Sequence, residues 1–178
     1  MVSTLSRSGG HMVSTLSDAR AVAEEVTDPE LPMLTLHDLG VLRGVRVEGE
    51  RVVVDITPTY SGCPAMAEMR ADLITRLRAA GYRDVDVRTA LSPPWTTDDI
   101  TARGRRLLAE HGIVPPGPAP RRAPGPVPLS LGRTAPAVSC PQCGSAGTEL
   151  VSQFGATSCK ALYRCTTCRE PFEQVKAH

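Results

Sequence analysis

Two short sulfur turns constrain this chain more than any other feature. Cys140-Pro141-Gln142-Cys143 and Cys165-Thr166-Thr167-Cys168 stand 21 residues apart. Each Cys-x-x-Cys turn aims two thiolates at one centre, and two turns complete a tetrahedron around a single ion. Such a closed site has no open position for substrate, so its role is structural, with Zn2+ as the expected metal. Iron in the same four-thiolate cage fits the spacing equally and would make the tail an electron carrier. A redox dithiol at Cys140 and Cys143 would need a strand–helix context that this segment lacks. Residues 138–178 are too few to hold a core unaided, and a bound metal supplies the missing staple.

The rest of the composition narrows the function by exclusion. The net charge of +1 and 3% aromatic content give neither a basic footprint nor stacking platforms, so no nucleic-acid partner is expected. No apolar run approaches the ~20 residues of a membrane span, and Met1–Ser17 has no apolar leader core. The expected compartment is the cytoplasm, where six cysteines stay reduced and point to metal or catalysis before disulfides. Paired Glu-x-x-His motifs of a di-iron oxygenase are absent, as are the plant-type ferredoxin cysteine run, nucleotide-binding glycine loops and nucleophile motifs. The chain is therefore not expected to be an enzyme on its own.

Four segments are expected. Residues 1–16 contain MVSTLS at Met1–Ser6, repeated at Met12–Ser17, a duplicated start or tag set aside from the fold. Residues 17–112 form the main domain. A short helix over 17–26, capped by Ser17, ends before Pro29. Residues 40–47 and 51–57 alternate as strands around the turn Glu48-Gly49-Glu50. Residues 65–80 are helical, with Pro64 at the start, Gly81 at the stop and Met66, Met69, Leu73 and Leu77 on one face. A third strand spans 84–91, and a last helix runs from Asp98 to about His111 behind Thr96 or Thr97. The order α-β-β-α-β-α predicts an α+β two-layer domain: a small mixed three-stranded sheet, helices on one face, and strands two and three parallel. Three strands leave edges through which a homodimer could form. Residues 113–137 carry eight of the sixteen prolines and read as a linker to the ribbon at 138–178.

Two thiols lie outside the paired turns. Gly62-Cys63-Pro64 puts Cys63 at the mouth of the long helix, where free N–H groups and the positive helix end favour a thiolate. There it could ligate a soft metal or an iron–sulfur cluster transiently. The residues alone balance this against a small buried hydrophobe. Asp28 and Glu30, in the loop after the first helix, could cap such a metal, although solvated Asp-Pro turns are common. His37 is more readily a loop residue than a ligand. Cys159 is a surplus fifth thiol of the tail. Packing inside the ribbon is the favoured reading. The functional one has Lys160 lowering its pKa to make a transfer or docking ligand.

These residues carry a family resemblance. Asp28-Pro29-Glu30-Leu31-Pro32, Leu39-Gly40-Val41, Thr57 to Ala65, and Pro93-Pro94-Trp95-Thr96-Thr97-Asp98 resemble the PaaD subunits of phenylacetyl-CoA 1,2-epoxidase systems. So do Cys140 to Cys143, Phe154-Gly155, Cys159-Lys160-Ala161, Tyr163-Arg164-Cys165, Cys168 and Glu170-Pro171-Phe172. Asp99 departs from the pattern, which leads one to expect an aromatic there. The resemblance implies a SufT-like iron–sulfur assembly domain followed by a zinc ribbon, with Asp28, Glu30 and Cys63 as the functional positions. It implies an accessory role in phenylacetate catabolism: maturing the metal machinery of the epoxidase, above all its FAD- and 2Fe–2S-bearing reductase subunit, with the oxygenase subunits as further partners. A structural or electron-transfer component bridging oxygenase and reductase is the alternative.

Overall fold

The computed structural model describes residues 15–60, 62–119 and 138–177. The expectations for residues 1–14 and for most of the proline-rich segment fall outside these. Helix α1 (Leu16–Glu24) opens with a capping box in which the Thr15 side chain accepts from Asp18 N–H and Asp18 accepts from Thr15 N–H. Thr15 and Leu16, set aside with the duplicated start, thus belong to the fold, and Thr15 rather than Ser17 is the cap. Ala19 and Ala23 are fully buried, so the helix lies close on its neighbours.

Strands β1 (Leu42–Glu48) and β2 (Arg51–Ile56) form the expected antiparallel hairpin. Strand β3 (Asp84–Thr89) pairs parallel to β2, giving the mixed order β1-β2-β3. β3 stops at Thr89 rather than residue 91 because β2 ends opposite it at Ile56. The last bond is from Ala90 N–H to the Ile56 carbonyl, and Leu91 is exposed. Val52, Val54 and Ile56 face the helices and are buried. The other face carries Arg46, Glu48, Arg51, Asp55, Asp84, Asp86 and Arg88, paired as Arg46–Asp55, Arg46–Glu48, Arg51–Asp84 and Arg88–Asp86. Val53 is nonetheless fully buried on that polar side.

The crossover helix α2 (Met66–Ala79) buries Met69, Leu73 and Leu77. It ends as the sequence dictates: Tyr82 N–H donates to the Leu77 carbonyl and Gly81 N–H to that of Arg78, with Gly81 at φ +100°. This is a Schellman stop, and glycine takes the left-handed position without strain. The last helix is shorter than expected. Thr96 and Asp99 close a capping box around a single 3-10 turn, Thr97–Asp99. Thr101 then caps α3 (Ala102–Glu110), accepting from Gly104 N–H at 2.9 Å. Asp99 is held instead by Arg43, at 3.0 and 3.1 Å. That docks the turn on Gly40, where any Cβ would come within 2.5 Å of the Asp99 carbonyl oxygen. At Gly104 a Cβ would come within 2.7 Å of the Asp38 carbonyl oxygen.

The segment after α3 is ordered further than a linker from residue 113 implies. Ile113 joins the main core, and Val114 pairs with the tail. The tail folds as an antiparallel sheet of β4 (Thr148–Ser152), β5 (Lys160–Cys165) and β6 (Pro171–Val175). Its small core is Val138, Cys140, Ala161, Tyr163, Cys165 and Phe172, with the Tyr163 and Phe172 rings stacked at 5.8 Å. Val114 N–H donates to the Glu173 carbonyl and Val175 N–H donates back to Val114. Val175 is buried in the core of the first module, so the ribbon is seated on the sheet module.

Candidate functional site

Two sites emerge, one closed and one open. In the closed one, Cys140, Cys143, Cys165 and Cys168 bring their sulfurs within 4.8 Å of one another. Cys140 to Cys168 is 3.7 Å and Cys143 to Cys165 is 3.6 Å. Sulfurs about 2.3 Å from one tetrahedral zinc would lie about 3.8 Å apart, so the donor set fits a single ion and no disulfide. Both turns are built alike. Gly144 N–H donates to the Cys140 carbonyl and Arg169 N–H to that of Cys165. Gly144 has φ +72° and Arg169 φ +68°, so each knuckle closes on a left-handed residue. Cys165 and Cys168 are pushed in opposite directions. N–H groups of Cys168 and Thr167 bring Cys165 down to about 6. The Glu170 N–H favours a thiolate at Cys168, yet burial and its sulfur neighbours push it up to about 12. A cation at the centre removes that conflict by drawing all four to the thiolate form.

The open site is a cavity of about 180 Å³ between the two modules. The sheet module supplies Asp28, Glu30, Tyr60, Cys63 and Trp95 among its walls; the ribbon supplies Ala156, Thr157, Ser158, Cys159 and Val175. The loop after α1 places the carboxylates. Asp28 Oδ1 accepts from Glu30 N–H and Leu31 N–H, both at 2.8 Å, and the loop is tied down by Asp28 N–H to Leu34 O and Leu36 N–H to Val26 O. Asp28 is buried and Glu30 exposed. Trp95 forms a wall because its indole N–H donates to the Leu39 carbonyl at 2.8 Å. Cys63 sits one turn before α2, half-buried, and the N–H groups of Ala65 and Met66 point at its sulfur.

The electrostatics differ from the simple helix-end argument. Burial pushes the Cys63 thiol up, outweighing those N–H donors, and Asp28 and Cys159 push it the same way. Burial also raises Cys159, which Thr157 (3.0 Å) and Lys160 only partly offset, with Asp28 again unfavourable. Burial raises Asp28 against its two N–H donors. The resting pocket therefore favours protonated thiols, and a metal entering it would displace protons.

Asp28 and Glu30 from one loop and Cys63 from the mouth of α2, singled out from two separate sequence features, thus share one cavity. His37 is exposed on the loop and does not line it. Cys159 joins the cavity and is not among the buried residues of the ribbon core. The signal for this was arithmetical: four thiols suffice for the ribbon ion, and the fifth is left over. Trp95 is the other wall that sequence reasoning did not assign.

Comparison with known proteins follows the same division. Residues 17–89 match the family model of an iron–sulfur cluster assembly protein, and residues 124–176 that of a PaaD zinc beta ribbon domain. An Escherichia coli (strain K12) protein, provisionally named as one of the subunits of 1,2-phenylacetyl-CoA epoxidase, is 44% identical over 156 residues, covering 88% of this chain and 89% of its own. Among solved structures, a DUF59 domain of unknown function from Bacillus anthracis matches at 24% identity and TM-score 0.48, over 52% of this chain and 90% of that one. A Mycobacterium tuberculosis protein associated with Fe–S complex assembly and repair matches at 28% identity and TM-score 0.34, over 62% of this chain and 96% of that one.

Proposed function

The chain belongs to the PaaD family of 1,2-phenylacetyl-CoA epoxidase subunits, and from that premise we propose that it is a non-catalytic accessory component that loads iron–sulfur cargo into the epoxidase reductase. Cys63 is the transient ligand, Asp28 and Glu30 are its neighbours, and the ribbon, with Zn2+ on Cys140, Cys143, Cys165 and Cys168, is a docking module. The work is done in the cytoplasm, where the thiols stay reduced. The observation that supports this reading best is the cavity itself: it gathers a thiol and two carboxylates at a helix mouth. Thiolates are the ligands that soft metals and iron–sulfur clusters select. Resting thiols that keep their protons suit a carrier, because cargo is held only while it displaces those protons.

Co-expression with the reductase tests this. Cys63→Ser is expected to leave the fold and ribbon metal intact while lowering the reductase's iron and visible cluster absorption. Unchanged loading would overturn the transfer role and leave a bridging component, which stable co-purification with oxygenase and reductase would reveal.

A further inference from the structure

We infer that Cys159, carried by the ribbon, is the second thiolate of the Cys63 site, so that the two modules together form one chelate for a thiophilic metal cargo. This rests on the transfer reading above and adds the ligand that reading lacks. Both thiols line the same cavity and are half-buried, and the buried Asp28 carboxylate lines it with them.

The placement of Cys159 is built, not incidental. The loop before β5 wraps around Glu173, whose Oε1 accepts from Ala156 N–H at 2.8 Å and whose Oε2 pairs with Lys160 at 2.7 Å. Gly155 lies so close beneath that carboxylate that a Cβ would sit 2.5 Å from Oε1. Gly155 N–H donates to the Lys160 carbonyl and Lys176 N–H to that of Cys159. The main-chain pairing of Val114 with β6, and Val175 in the main core, then fix this loop against the sheet module. A cavity of about 180 Å³ exceeds the ~30 Å³ share of one water, leaving room for an ion and its remaining ligands. Loading balances as a substitution: one divalent cation binds two sulfurs, and two protons leave for solvent or a base.

The test uses the full chain, anaerobic, with zinc left in the ribbon, and Co2+ as the probe. Wild type is expected to take one further Co2+ with thiolate-to-cobalt absorption and to quench Trp95, the sole tryptophan and a wall of the cavity. Cys63→Ser and Cys159→Ser are each expected to weaken that binding about tenfold or more, with ribbon zinc and circular dichroism retained. The double variant should be little worse than either single one. If Cys159→Ser binds as wild type while Cys63→Ser does not, the shared chelate falls and the Cys63 reading stands. If neither substitution matters, both readings fall. An absence of Trp95 quenching in wild type overturns the shared site without recourse to any variant.

Discussion

Lys160 Nζ lies 2.7 Å from Glu173 Oε2, and the lysine side chain is only 6% exposed. The pair joins β5 to β6 and ties the loop carrying Cys159 to the sheet. Removing one partner strands the other charge in a dry site, so Glu173→Ala is expected to cost about 3 kcal/mol. Replacing both, as Lys160→Met with Glu173→Leu, restores packing without charge and should recover most of that loss. Denaturant unfolding of the metal-loaded chain measures both. A single variant as stable as wild type would show that the pair is fully hydrated.

Acid is expected to loosen the seat of α3 first. Burial would raise the Asp38 carboxyl, but bonds from Thr35, Arg103 and Thr101 hold it below the ordinary carboxylate value; Arg43 and Thr96 do the same for Asp99. Each native pKa thus lies under its unfolded one, so the native state binds fewer protons between them. That stability is fully present above the unfolded value, about 3.9, and is lost as pH falls through the native value. Urea midpoints should fall below about pH 4. Asp38→Asn should lower the plateau and flatten the acid limb; an unchanged acid limb would exclude Asp38 as a contributor.

How far these features could be seen in advance depended on their range. The paired cysteines, the Met69–Leu73–Leu77 stripe and the Gly81 stop are local signals, and the structure keeps each. The helix expected from Asp98 failed because Thr96 and Thr101 are both sound caps. Distant bonds, Asp99 to Arg43 and Thr101 N–H to the Asp38 carbonyl, hold the segment where the chain turns extended at Ile100 and confine the first to one turn. That Cys63 and Cys159 line one cavity is a tertiary feature. It follows from Val175 entering the first module's core, whereas the sequence pattern of the tail reads as a self-contained satellite.

Stripping the ribbon ion should unfold the tail and spare the sheet module. The ribbon core is six residues, two of them cysteines of the four-sulfur cluster, far too little burial to hold three strands. The sheet module keeps its own core from Ala19 to Ile113, losing only the cover of Val175. With a chelator present, amide exchange should become fast over 138–177 and stay slow in β2 and α2. Metal analysis beforehand is expected to give one ion per chain at this site, and zinc rather than iron if the tail is not an electron carrier. A tail equally protected after chelation would show that the four sulfurs do not hold it.

The second knuckle carries a strain that the first avoids. Gly144 and Arg169 occupy equivalent places, each donating its N–H to the carbonyl of the cysteine four residues earlier, at φ +72° and +68°. For an L-residue this left-handed backbone costs roughly 1–2 kcal/mol, and for glycine almost nothing. Glycine gives part of this back through its greater freedom in the unfolded chain. Arg169→Gly is therefore expected to stabilise the metal-loaded ribbon by about 1 kcal/mol, seen as a higher unfolding midpoint. Arg169→Ala removes the same charge and stem but keeps the strain, so it should give no gain. Stabilisation by both substitutions would trace the effect to arginine's charge beside the sulfurs, and not to its backbone.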